Sequence, residues 1–198
     1  FSNKGSQHRE EEAEEIERKF HKSASIQLKR WLKKQKITPE KSFLTEAPAL
    51  GVVAKVIKMY PFDYVIGSVH FINNWSFDDP QDISGYQKWD IAKLYETYFS
   101  LVQQCAKSGL FDIIGHIDYI KTLGYKPKVD MTEVFLNTVE VLKDSEVCVE
   151  VNTGGLRMPC REMYPSKAFL KMCFDNEIPI TLGSDAHKPQ DLGNNFDQ

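Results

Sequence analysis

The stretch Ile178-Pro179-Ile180-Thr181-Leu182-Gly183-Ser184-Asp185-Ala186-His187 decides how this chain reads. An apolar run of strand length stops at Gly183-Ser184, and a carboxylate and an imidazole follow, one residue apart. In extended chain, residues i and i+2 point the same way, so Asp185 and His187 could reach one metal ion, or two ions side by side. A strand that delivers such a pair at its C-terminal tip is an active-site pattern in β/α enzymes. Taken alone, the same residues also suit a solvated turn after a buried strand. The other strands decide between the two.

Three more apolar runs end in comparable fashion. Phe62–His70 and Phe111–His116 each close on a histidine, and Val147–Val151 runs into Asn152-Thr153-Gly154-Gly155. Helical patterns separate them. Tyr86–Lys107 carries Ile91, Leu94, Tyr95, Tyr98, Val102 and Cys105 on one face and is stopped by Gly109. Met131–Leu142 is entered through Asp130 as a candidate N-cap, and Ser166–Asn176 is shorter. The alternation β-α-β-α-β-α-β predicts an α/β fold with a parallel sheet, right-handed crossovers and all strand C-termini on one side. That side receives His70, His116, Asn152, Asp185 and His187. The chain has five histidines, and three of them fall at these tips, which points to a shared site. Parallel sheets bind ligands at this edge.

Upstream, Glu10–Lys36 has Ile16, Phe20, Ala24, Leu28, Trp31 and Leu32 at helical spacing, with acidic residues at its start and basic ones at its end, as the helix dipole favours. It reads as an amphipathic helix packed on the domain rather than a partner-binding element. His8 and His21 lie in this polar region without a partner at ligand spacing. Residues 1–46 therefore read as a charged helical segment and loop, and residues 47–198 as the β/α domain, which begins with a helix at Gly51–Tyr60.

A length of 198 residues suits one domain with a real core. The net charge of −3 gives no reason to expect nucleic acid or an anionic membrane as partner, and no apolar run reaches bilayer length. The polar start at Phe1-Ser2-Asn3 is unlike a signal peptide, and its lack of Met predicts sequence upstream. Cys105, Cys148, Cys160 and Cys173 show neither close pairing nor zinc-ribbon spacing and read as reduced, cytoplasmic thiols.

Three imidazoles and a carboxylate suit Zn, Mn or Fe better than Mg. Metals on the open side of a β/α scaffold act as Lewis acids and water activators, so hydrolysis is the natural class. Arg157, three residues past Gly154, could clamp a phosphate through its planar fork or remain a surface charge. Asp118 is either a ligand, an acceptor behind one, or a cap for the next segment. No cysteine sits at a strand tip, which argues against a thiol nucleophile.

Several blocks together resemble a known family. They are Phe62–Phe71 with Trp75-Ser76-Phe77-Asp78, Phe111–Asp118, Asn152–Arg157 with Glu162–Ser166, and Leu182–His187. In this order they are similar to the histidinol-phosphate phosphatases of the PHP (polymerase and histidinol phosphatase) superfamily, over about Tyr60 to Phe196. The resemblance implies a distorted (β/α)7 barrel with up to three divalent metals at the strand C-termini. It implies hydrolysis of L-histidinol phosphate to L-histidinol and phosphate in cytoplasmic histidine biosynthesis. By motif, His70 and His116 resemble the two histidines of one metal position, Asp185 the carboxylate of a second, His187 a ligand of the third, and Arg157 a contact to the substrate phosphate. The superfamily's first-strand His-x-His pair has no counterpart here. Glu46 lies near the place of the bridging glutamate, outside its usual Gly-Leu-Glu-type block. The expectation is an incomplete barrel holding about the last two-thirds of the domain. The alternative is a truncated, catalytically degenerate remnant that binds metal or a partner without turnover. A polymerase-attached or nuclease form is disfavoured, since no basic groove with interleaved aromatics is evident.

Overall fold

The computed structural model describes residues 54–197, apart from 56 and 74. Glu10–Lys36, Glu46 and the first part of Gly51–Tyr60 lie outside the described residues. In chain order the elements are β1 (Ile66–Gly67), β2 (Phe71–Ile72), β3 (Trp75–Ser76), α1 (Ser84–Lys88), α2 (Ile91–Lys107), β4 (Ile113–Ile114), α3 (Thr132–Asp144), β5 (Cys148–Asn152), α4 (Lys167–Asp175) and β6 (Ile180–Gly183).

The four strands expected from the apolar runs form one parallel sheet in the order β1-β4-β5-β6. They are shorter than the runs that announced them, because most of Phe62–Val65 and Phe111–Asp112 serves as approach rather than ladder. A hairpin of β2 and β3, pairing Phe71 with Ser76 and Ile72 with Trp75, stands where the sequence reads as a loop. Its ladder is too short to carry a periodicity signal.

The helix expected at Tyr86–Lys107 is two helices. Asp90 explains the break: it takes the extended conformation of an N-cap, and its carboxylate accepts the Lys93 N–H at 2.9 Å. Ser166 caps α4 in the same way, accepting from the Phe169 N–H at 3.4 Å. Asp130 acts one position before the cap of α3, where its Oδ1 accepts the Thr132 N–H at 2.9 Å and the Thr132 hydroxyl at 2.6 Å.

The helices cover one side of the sheet. Leu94, Tyr98, Phe99 and Val102 of α2, Val139 and Leu142 of α3, and Phe169 and Cys173 of α4 are buried with Ile114 and Val149 of the strands. Phe99 is the centre of this layer. Its ring meets Phe135 at 5.1 Å, Tyr98 at 5.5 Å and Phe169 at 5.9 Å between centroids. Along β5, Val149 and Val151 alternate with Glu150 and Asn152, which therefore take the other side of the sheet. All four cysteines are free thiols. Among the described residues no helix is long and apolar enough to cross a membrane.

Because Phe99 is fully buried among three aromatic rings, Phe99→Ala should destabilise the domain by about 3–5 kcal/mol in urea denaturation. A loss below about 1 kcal/mol would place the core elsewhere.

Candidate metal and phosphate site

The strand tips bring together most of the residues singled out in the sequence. His70 follows β1 and His116 follows β4, and their rings meet edge to face with centroids 5.0 Å apart. Each histidine has its own setting. His70 Nδ1 lies 3.0 Å from Asp78 Oδ2, whose partner oxygen accepts the Ser76 hydroxyl at 2.5 Å. Burial would raise the Asp78 pKa, but the hydrogen bonds from His70 and Ser76 outweigh it and hold the group below its ordinary value. An ionised Asp78 favours the tautomer in which His70 Nδ1–H donates to it and Nε2 faces outward, the arrangement that orients metal-binding histidines.

His116 is 7% exposed, and its Nδ1 has no hydrogen-bond partner. Burial pushes its pKa down, and the neighbouring His70 adds to the shift. It is held neutral, as a ligand must be. The backbone at His116 has φ 27, a positive value rare for a side chain of this size. Its N–H is gripped by the Glu150 carboxylate at 2.9 Å.

Asp185 and His187 are neighbours, but not through strand alternation. β6 ends at Gly183, and Asp185 has φ 51, so the pair sits in a turn. His187 Nδ1 lies 3.0 Å from the Asp185 carbonyl and 3.8 Å from its Oδ1, and the His187 side chain is 83% exposed. Asp185 reaches back toward the other tips: its charge acts on both His116 and Tyr119. Arg157 holds this turn. Its Nη2 donates to the Ser184 carbonyl at 2.6 Å and the Asp185 carbonyl at 3.1 Å, and Nε lies 3.8 Å from Asp191. Its Nη1 is buried without a partner.

A pocket of about 220 Å³ opens between these groups, lined by Tyr119, Gly154, Arg157, Met158, Tyr164, Asp185, His187 and Asp191. His116 stands behind its aromatic wall, 4.3 Å from the Tyr119 ring and 6.2 Å from that of Tyr164. Burial, with Asp78 and Asp185 nearby, pushes the Tyr119 hydroxyl up to about 12. Two imidazoles this close together suit a divalent transition ion as nitrogen ligands. Among the described residues no group of three or more His, Cys, Asp or Glu side chains is arranged to hold one, so His70 and His116 fit as part of a ligand set.

Asp118 joins a different network. Its Oδ2 accepts the Ser166 N–H at 2.8 Å and pairs with Lys121 Nζ at 2.8 Å, while Lys121 also donates to the Met163 carbonyl at 2.8 Å and lies 3.2 Å from Glu162. Burial raises the Asp118 pKa in spite of the lysine. Asp118 therefore fastens the loop after β4 to the loop before α4. Sequence reading gave no role to Asp78, Tyr119, Tyr164 or Glu150. The one signal available was Glu150, a lone charge inside an apolar run.

Lys121→Met should cost about 3–5 kcal/mol in urea denaturation at neutral pH, because it leaves the buried Asp118 carboxyl without its cationic partner. Adding Asp118→Asn should recover part of that loss; strictly additive losses would show that the two groups do not act as a pair.

Residues 9–154 match the family described as PHP domain. The chain is 40% identical over 145 residues to a "probable histidinol-phosphatase" of Deinococcus radiodurans, covering 73% of this chain and 55% of that protein. It is 31% identical over 149 residues to a protein of the same name from Clostridium acetobutylicum, covering 69% and 55% respectively. It thus spans about half the length of the curated relatives it matches. The structure of histidinol phosphate phosphatase from Lactococcus lactis, complexed with zinc, L-histidinol and phosphate, superposes with a TM-score of 0.61 at 22% identity, covering 73% of this chain and 57% of that one. That likeness carries the fold alone: a PHP-type α/β fold built on a parallel sheet with helices. With a family match running from residue 9 through the tip of β5, the chain belongs to the PHP domain family.

Proposed function

We propose that this chain is the metal- and phosphate-binding part of a phosphomonoester hydrolase that converts L-histidinol phosphate to L-histidinol and phosphate, in histidine biosynthesis. One observation carries the reading. Among the described residues, the buried side-chain atoms without a hydrogen-bond partner are His116 Nδ1, Asp118 Oδ1 and Arg157 Nη1. Native proteins rarely leave such atoms unpaired, and here one is a metal-type donor and another an anion-type donor beside the same pocket. The names of the relatives and the ligands of the Lactococcus lactis protein agree with both chemistries.

In this reading His70 and His116 hold one divalent ion, with Asp185 and His187 contributing to further positions. Zn, Mn and Fe suit these donors. A bound divalent ion supplies Lewis acidity toward a phosphate oxygen and lowers the pKa of water. The chain's own groups do the rest. Arg157 directs its unpaired Nη1 at the phosphate while its Nη2 keeps the Ser184–Asp185 turn in place. Asp78 keeps a proton on His70 Nδ1. Tyr119, Tyr164 and Met158 form an apolar wall that shields the reacting bond and suits a flat imidazole ring. A second reading, a domain that binds metal without turnover, draws on the same pair of imidazoles at the tips of β1 and β4.

Metal analysis and phosphate release from histidinol phosphate separate these readings. The hydrolase reading expects both, with His70→Ala and His116→Ala lowering bound metal and activity together. Metal retained with no phosphate release selects binding without turnover, and unchanged metal in both variants rejects the ligand assignment. Arg157→Gln should weaken inorganic phosphate binding by about tenfold, the scale of one charged hydrogen bond.

A further inference from the structure

Among the described residues Glu150 is the only charged side chain within a strand, and it is 9% exposed. The carboxylate has a defined task. Its Oε2 accepts the His116 backbone N–H and the Asn152 Nδ2–H, each at 2.9 Å. Asn152 in turn accepts the Gly154 N–H at 2.8 Å. One carboxylate oxygen thus joins β5 to the turn after β4 and to the loop that leads to Arg157.

The flanking strands are cut away to admit it. A Cβ at Gly183 on β6 would collide with Glu150 Oε1, and one at Gly115, just past β4, would collide first with Ser68 Oγ and Ile66 and also stand 3.3 Å from Oε2. Glycine weakens a strand and often marks a close approach. Here both glycines flank the same carboxylate. The residue it grips, His116, has a positive φ, a conformation that persists only where the surroundings enforce it.

We infer that Glu150 is a positioning residue: by fixing the His116 backbone in its left-handed conformation, it aims the His116 imidazole at the metal position. The inference rests on the reading above that His116 holds metal.

The test uses the full chain with Zn²⁺ alone. Glu150→Gln keeps an oxygen that can accept both N–H groups and should bind zinc within about threefold of the parent, whereas Glu150→Ala should lose about tenfold or more. Gly183→Ala leaves the carboxylate intact but displaces it, and should reproduce the Glu150→Ala loss. It also serves if Glu150→Ala fails to fold. Urea midpoints matching the parent's for Glu150→Gln and Gly183→Ala separate positioning from general stability. Amide exchange at His116 in metal-free protein reads the grip directly: protection should persist in Glu150→Gln and vanish in Gly183→Ala. Parent-like zinc affinity and His116 protection in Gly183→Ala would overturn the inference, as would a loss in Glu150→Gln equal to that in Gly183→Ala. If His116→Ala leaves zinc binding unchanged, the metal assignment itself fails, while the exchange measurement still reports on Glu150.

Discussion

The site depends on the parallel pairing of β4, β5 and β6. Ile114 pairs with Val149, Val149 with Ile180, and Asn152 with Gly183, so β5 and β6 end level with each other and β4 ends three residues short of them, its chain continuing through Gly115 and His116 toward the same edge. Parallel pairing forces this convergence, since every strand must end on the same side and return through a helix. Register is equally strict. A slip of one residue along β5 would turn Glu150 and Asn152 into the helix layer and put Val149 and Val151 on the other side. The apolar packing of Phe99, Leu142 and Phe169 against Val149 specifies the register, and the register places the polar groups.

Convergence alone would leave three loose loops. Cross-ties turn them into a site. Lys121 and Asp118 fasten the loop after β4 to the Met163–Ser166 segment, and the Tyr164 hydroxyl donates to Thr122 at 2.9 Å to reinforce the join. Arg157 ties the loop after β5 to the carbonyls of Ser184 and Asp185. Thr153 donates to the Asn194 carbonyl at 2.6 Å, and Ser184 Oγ accepts from Gly193 N–H at 3.1 Å, closing the last loop onto the others. Buried polar networks of this sort stabilise little on balance but select one arrangement, because any partial break strands a charge in low dielectric.

Much of this was legible in the sequence. Apolar runs ending near His70, His116 and Asp185 pointed to the parallel strands and the edge where the tips meet, since a buried parallel strand leaves a plain compositional trace. The helices were legible where an amphipathic face repeated over several turns. The β2–β3 hairpin was not, because two residues per strand carry no periodicity. The break between α1 and α2 turned on Asp90 choosing the cap conformation over continuation, a contest between local hydrogen bonds that composition does not settle. Arg157 and Asp118 were visible as charges near strand tips, but not what each would bind. The extended-chain reading of Asp185 and His187 failed because Asp185 enters the left-handed region, which no spacing rule reveals. Asp78 was visible only as part of a family-like block and had no role assigned, because its partner His70 lies across a hairpin that was itself unseen.

The distribution of unsatisfied groups argues that this edge is shaped by something other than stability. An unpaired buried polar atom costs about 1–3 kcal/mol, and small adjustments elsewhere in the domain avoid that cost. Here His116 Nδ1, Asp118 Oδ1 and Arg157 Nη1 go unpaired at the strand tips, and His116 and Asp185 both hold positive φ there. The helix layer beneath shows the opposite economy, with aromatic rings packed and capping residues satisfied. Unpaired buried polar atoms gathered at one edge are the pattern expected when groups are held ready for a ligand rather than for one another. A metal ion at His70 and His116 and an anion at Arg157 would supply two of the three missing partners. The energy withheld from folding would then reappear as binding, which is why the register that aligns the tips matters more to this protein than any single contact within them.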